Sequence, residues 1–161
     1  MRMTQLWVIL FAVLIGVIAG LRALTAPAAV AWGAVFGWVE VTDRWSEWIA
    51  HPIAVTVLTV GLLIELVTDQ LPSTPTRRTA PQFISRLFTG AFAGALIGSA
   101  FFHTFVGLGA GMIGAVLGTL GGAAARERLA ARRGKDWPAA LAEDVVAVGG
   151  AFLIVYLVSL V

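Results

Sequence analysis

Six ionisable residues stand inside or at the border of long apolar runs: Arg22, Glu65, Asp69, Arg86, Glu143 and Asp144. A charge held in hydrocarbon costs about 3 kcal/mol on insertion scales, so such groups turn inward and pair. Glu65 and Asp69 are four residues apart and share one helix face. The arginines can bind an anion or neutralise the acids. The acids can take up protons or exchange partners. Redox and thiol chemistry have no carrier here, because the chain has no Cys. Its two histidines cannot build a His-rich metal site. No base and nucleophile pair is recognisable by spacing, so an intramembrane enzyme acting on lipid phosphates ranks last among the functional readings.

The elements that must position these charges are apolar. Of 161 residues, 59% are hydrophobic and 12% charged, against roughly a quarter charged in a soluble domain. Mean hydropathy is +0.91. Too little polar surface remains to coat a water-soluble globule, so the chain belongs in a bilayer. The net charge of +2 carries no nucleic-acid footprint.

Residues 3–21, 23–39 and 48–64 are free of charge. A secretory leader is a poor reading of the first run, because Arg22 and Pro27 flank the only cleavage-like site. The second run is short for a full span. After Arg86 come 39 uncharged residues, 87 to 125. As one helix they would reach about 58 Å, nearly twice a hydrocarbon core of about 30 Å. They must fold back, near His103 and Thr104. Gly90, Gly94 and Gly98 in one half, and Gly114, Gly118 and Gly122 in the other, line faces on which helix backbones approach closely. These faces could also serve a homo-oligomer. A last helix runs to Val161.

The expected fold is all-α: a polytopic membrane protein, residues 1–161 forming one integral membrane domain, with about six transmembrane helices in three hairpins. Placing the turns after helices 1, 3 and 5 on one side gathers nine of the eleven basic residues there, including Arg77, Arg78, Arg126 and Lys135. The positive-inside rule makes that side cytoplasmic and puts both termini outside. Trp7, Trp38, Trp45 and Trp48 then fall at the outer interface. A five-span alternative, with residues 27–39 re-entrant, would turn the N-terminus inward.

Each cytoplasmic turn ends in a cap residue, one spacer and a proline: Thr25-Ala26-Pro27, Thr79-Ala80-Pro81 and Asp136-Trp137-Pro138. The hydroxyl or carboxylate is expected to accept from a free first-turn N–H while proline fixes helix entry. Three helix N-termini beside arginines make a candidate anion site at headgroup depth.

Three segments together, GLRALTAPA at 20–28, IELVTDQLPSTPTRRTAP at 64–81 and ALAEDVVAV at 140–148, resemble a family of small bacterial multi-pass inner-membrane proteins classed as a domain of unknown function. The resemblance spans nearly the whole chain and marks Arg22, Thr25, Pro27, Glu65, Asp69, Pro72, Thr74, Pro75, Arg78, Thr79, Pro81, Arg86, Glu143 and Asp144. The chain departs from the pattern in its paired Arg77-Arg78 and in Ala123 to Ala125. The family implies location and site residues but no reaction.

The leading functional expectation is a carrier or binding protein, without cofactor, for an anionic ligand such as a lipid phosphate. Arg22, Arg78 and Arg86 would hold the anion, with Thr25 and Thr79 at the helix starts and Thr74, which the resemblance marks, in the loop between. Glu65, Asp69, Glu143 and Asp144 would pair the arginines in the empty state, for example Arg22 with Glu65 and Arg86 with Asp69 or Glu143. Membrane lipids, anionic ones included, are the expected partners. The alternative is a structural or assembly protein in which the same charges form a salt-bridge clamp.

Overall fold

A computed structural model describes residues 2–69, 79–133 and 137–161. Six α-helices follow in order: α1 (Arg2–Leu21), α2 (Thr25–Val35), α3 (Pro52–Thr68), α4 (Ala80–Ala100), α5 (Thr104–Arg133) and α6 (Trp137–Val158). A short 3₁₀ turn, Glu47–Ala50, precedes α3. There is no strand among the described residues. Four helices, α1, α4, α5 and α6, are long and apolar enough to cross a membrane.

The second apolar run does not form a full-length helix. α2 has 11 residues, about 16 Å, or half of a hydrocarbon core. It stops at Gly37, whose φ is +72°. There the Trp38 N–H returns to the Gly33 carbonyl (2.7 Å) and the Gly37 N–H to the Ala34 carbonyl (3.2 Å), the two bonds of a Schellman stop. The apolar residues beyond it act as a plug: Val39, Val41 and Ile49 are buried in the core with Ile15, Val30, Leu96 and Val155. The fold-back expected near His103 is present as the turn between α4 and α5. It uses the same stop without glycine. Phe102 takes φ +61°, and the His103 N–H reaches the Gly98 carbonyl at 2.8 Å. The Arg44 guanidinium covers the Phe102 ring, 3.4 Å from its centroid. Trp45 donates to Thr104 and Ser46 pairs with Ser99 at 2.6 Å. This end of the bundle is therefore sealed by loop residues and aromatic rings.

α1, α4 and α5 pack backbone to backbone. A Cβ on Gly94 would stand 2.9 Å from Gly111 Cα, and one on Gly20 would stand 2.5 Å from the Ala115 carbonyl oxygen. Only hydrogen fits at such contacts, so the three helices lie in van der Waals contact along their length. α2 sits against α6, α4 and α3. α3 is the most peripheral helix. Val55 is its one fully buried residue, while Ile53, Val57, Leu63, Ile64 and Val67 are each more than half exposed. An all-round apolar helix of this kind is stable only with lipid around it.

Chain direction brings six segments to one end of the bundle: the C-terminal ends of α1, α3 and α5, and the N-terminal ends of α2, α4 and α6. Arg22, Glu65, Asp69, Arg86 and Asp144 lie there.

Candidate functional site

Arg22 follows the last residue of α1 and is fully buried (0% exposed). Its N–H still completes the helix by donating to the Ile18 carbonyl. Its guanidinium spans two other helices, with Nη1 on Asp69 of α3 and Nη2 on Asp144 of α6. Arg86, in the second turn of α4, is 1% exposed. It donates through Nη1 to the carbonyls of Gly20, at 2.7 Å, and Leu21. Its Nη2 lies 3.5 Å from Asp69. Arg86 is thus a cap on the C-terminus of α1, where unpaired carbonyls and the negative end of the helix dipole favour a cation. Asp69 sits between both guanidinium groups and joins α1, α3 and α4.

Glu65 pairs differently from expectation. Its carboxylate accepts from two backbone amides that open α2, Ala23 N–H at 2.6 Å and Leu24 N–H at 2.8 Å. It fills the anion position of that helix N-terminus. This corrects the cap assignment. Thr25 is already helical, Leu24 is the cap residue, and no side chain of α2's own start caps it. The first free amides are satisfied by a carboxylate reaching over from α3. Thr25 is left 1% exposed, and its hydroxyl has no hydrogen-bond partner. The Nε of Arg22 is likewise buried and unpartnered. The expected pairing of Arg22 with Glu65 is replaced by Arg22 with Asp69 and Asp144.

Glu143 is half-buried beside Asp144 on α6. Thr79 takes the extended N-cap backbone at the head of α4, without a capping bond from its side chain. Thr74 and Arg78 lie outside the described residues, as does the third cap, Asp136. Thr119 was not anticipated. It is buried in α5, donates to the Ala115 carbonyl at 2.8 Å, and stands 3.3 Å from the Gly20 carbonyl that Arg86 also uses. Only its place beside Gly118 on the close-packed face marks it out. Among the described residues no group of three or more His, Asp or Glu side chains could hold a metal ion.

The arrangement is a buried network of two guanidiniums and three carboxylates at the ends of four helices, beside a helix N-terminus. Together with the fold this defines a polytopic α-helical membrane protein with an ionic cluster at one end. The chain belongs to the family described as domain of unknown function DUF4126, whose profile matches residues 9–160. No curated protein and no solved structure matches it.

Proposed function

We propose that this protein is a small carrier or binding protein for an anionic ligand, in the cytoplasmic membrane of a bacterium, with the charged cluster on the cytoplasmic side. The observation that carries this reading is the company of Arg22. Residues 22–25 carry the groups that an anion would seek: the buried Arg22 guanidinium, the Ala23 and Leu24 amides, and the unpartnered Thr25 hydroxyl. Protein carboxylates occupy the amides and both Nη atoms. On this reading Glu65, Asp69 and Asp144 are stand-ins for the ligand and hold the empty state.

The charges give the mechanism its direction. Arg22 and Arg86 contribute two positive charges against three negative ones from Glu65, Asp69 and Asp144. An incoming anion would add a fourth negative charge in a medium of low dielectric. It enters only as a carboxylate leaves for water or takes up a proton, so binding is coupled to proton uptake or to movement of α3. The positive-inside rule supports the orientation, since the basic residues collect at the cluster end.

A second reading, the salt-bridge clamp, is favoured by one observation. Arg86 spends its best hydrogen bonds on α1 carbonyls, a structural task. The two readings divide the arginines: Arg86 holds the fold and Arg22 holds the ligand.

Ligand stabilisation tests the proposal. A ligand at a hundred times its Kd stabilises the folded state by about 2.7 kcal/mol. Phosphatidate added to the detergent-solubilised protein should raise its unfolding midpoint, and phosphatidylethanolamine should not. The rise should vanish in a folded Arg22→Gln variant. Equal shifts in wild type and variant would remove Arg22 from the site.

A further inference from the structure

A groove runs between α2 and α3 on the face where α3 meets lipid. It is open to the outside and holds about 380 Å³, within the range of about 300–1,000 Å³ typical of small-molecule sites. Trp32, Val35, Val55, Thr59 and Val60 are among the residues that line it. Two of its polar side chains are paired within the wall: the Trp32 indole N–H donates to Thr59 Oγ1 at 3.0 Å, and the Thr59 hydroxyl donates to the Val55 carbonyl at 2.7 Å. Such a lining suits a hydrocarbon and offers a polar occupant little.

The two helices that wall the groove also contribute to the charged cluster, α2 through the amides at its start and α3 through Glu65. Glu65 is five residues from Val60 along α3, about 7.5 Å, and thirteen from Pro52, about 20 Å. Between them Leu24 rests on α3 at Gly61, where an added Cβ would stand 2.9 Å from Leu24 Cδ1. Leu24 is the same residue whose amide holds Glu65. Leu24 thus touches α3 one helical turn from Glu65 and links the two regions through its amide and its side chain.

We infer that the anionic ligand is a lipid phosphate, with its headgroup at Arg22 and the α2 N-terminus and its acyl chain in the α2–α3 groove. This rests on the anion reading above and adds the identity of the ligand's other half. The exposed apolar residues of α3 suit a bilayer interior, so a chain can enter sideways without leaving hydrocarbon. The headgroup stays at the level of the charged end, the ordinary posture of a lipid in that leaflet.

Equilibrium binding of dioleoyl phosphatidate and of glycerol 3-phosphate to the full chain in detergent separates the two halves of the idea. Phosphatidate should bind more tightly, since only it brings a chain that packs against the groove lining. Filling the groove with Val60→Trp should weaken phosphatidate about tenfold and leave glycerol 3-phosphate unchanged. Equal affinity for the two ligands, with no effect of Val60→Trp, would overturn the groove while leaving the anion site. Binding of neither would overturn both. Should Val60→Trp fail to fold, a phosphatidate with a diazirine in its acyl chain reads the same point on wild type. Labelling of Trp32, Val35 or Val55 is expected, and labelling confined to other helices would refute the inference.

Discussion

Arg86 is the residue on which the division of labour can be weighed most directly. Replacing it with Met keeps much of the side-chain volume and removes the guanidinium. The Gly20 and Leu21 carbonyls each lose a charged donor. An unsatisfied buried polar group costs about 1–3 kcal/mol. Asp69 loses the cation 3.5 Å away but keeps Arg22. Removing one partner of a buried ion pair costs about 3–5 kcal/mol in soluble proteins. These terms overlap, because one group makes all the contacts, so the expected loss is about 3–5 kcal/mol rather than their sum. Arg86→Lys should lose less, about 1–2 kcal/mol, since an ammonium can still bond one carbonyl. Equilibrium unfolding in mixed micelles, followed by tryptophan fluorescence, measures both. A cycle with Asp69→Asn should give a coupling energy between about 0.5 and 3 kcal/mol. An Arg86→Met variant within about 1 kcal/mol of wild type would refute the argument that this guanidinium holds α1 to α4, whatever it does for a ligand.

Further outcomes follow from single contacts. Glu65→Gln leaves the α2 amides a neutral acceptor, so the Ala23 and Leu24 N–H groups should exchange hydrogen faster, with a stability loss of about 1 kcal/mol. Unchanged exchange would mean that Glu65 does not cap α2. Gly111→Val places a branched side chain 3.0 Å from Gly94 Cα and should prevent α4 and α5 from closing. Gly109→Ala, with nothing within 4 Å of its new methyl, should be neutral or gain up to about 1 kcal/mol from helix propensity. Thermal unfolding of the two variants compares them. Glu40 lies in the loop after α2, and its carboxylate is held below the ordinary range by the Thr42 hydroxyl and by the Thr42 N–H at 2.8 Å. A depressed folded pKa means that this local stabilisation is present above the unfolded value and is lost as pH falls through the folded one. Thr42→Ala should move the Glu40 carboxyl titration, read by NMR, back up toward the ordinary range.

What could be read from the sequence followed its charges. Arg22, Glu65, Asp69, Arg86 and Asp144 were marked by interrupting or ending apolar runs, and all five meet at one end of the bundle. The fold-back near His103 followed from length alone, because 39 uncharged residues cannot lie straight in a bilayer. Pairing was not legible. Thr25 has the local grammar of a cap, but the helix is entered one residue earlier, and the amides at that entry, Leu24 and Ala23, are taken by Glu65, 41 and 42 positions away. Spacing along one chain cannot rank such distant partners against near ones. The length of α2 was hidden for a related reason. Val39, Val41 and Ile49 continue the apolar composition of a span, yet they plug a folded loop, and Gly37 alone hints at the stop. Thr119 looks like any threonine in an apolar helix until α1 is packed against it.

On the proposed reading, Arg22 and the start of α2 form an anion site that protein carboxylates occupy when it is empty. Native mass spectrometry of the protein released from gentle detergent, with bound lipids identified, tests this most directly on wild type, Arg22→Gln and Glu65→Gln. A defined phosphate-bearing lipid is expected on wild type, lost from folded Arg22→Gln, and at higher occupancy on Glu65→Gln, where the internal competitor is weakened. A nonspecific set of lipids, the same on all three, would contradict it and leave the cluster as a clamp.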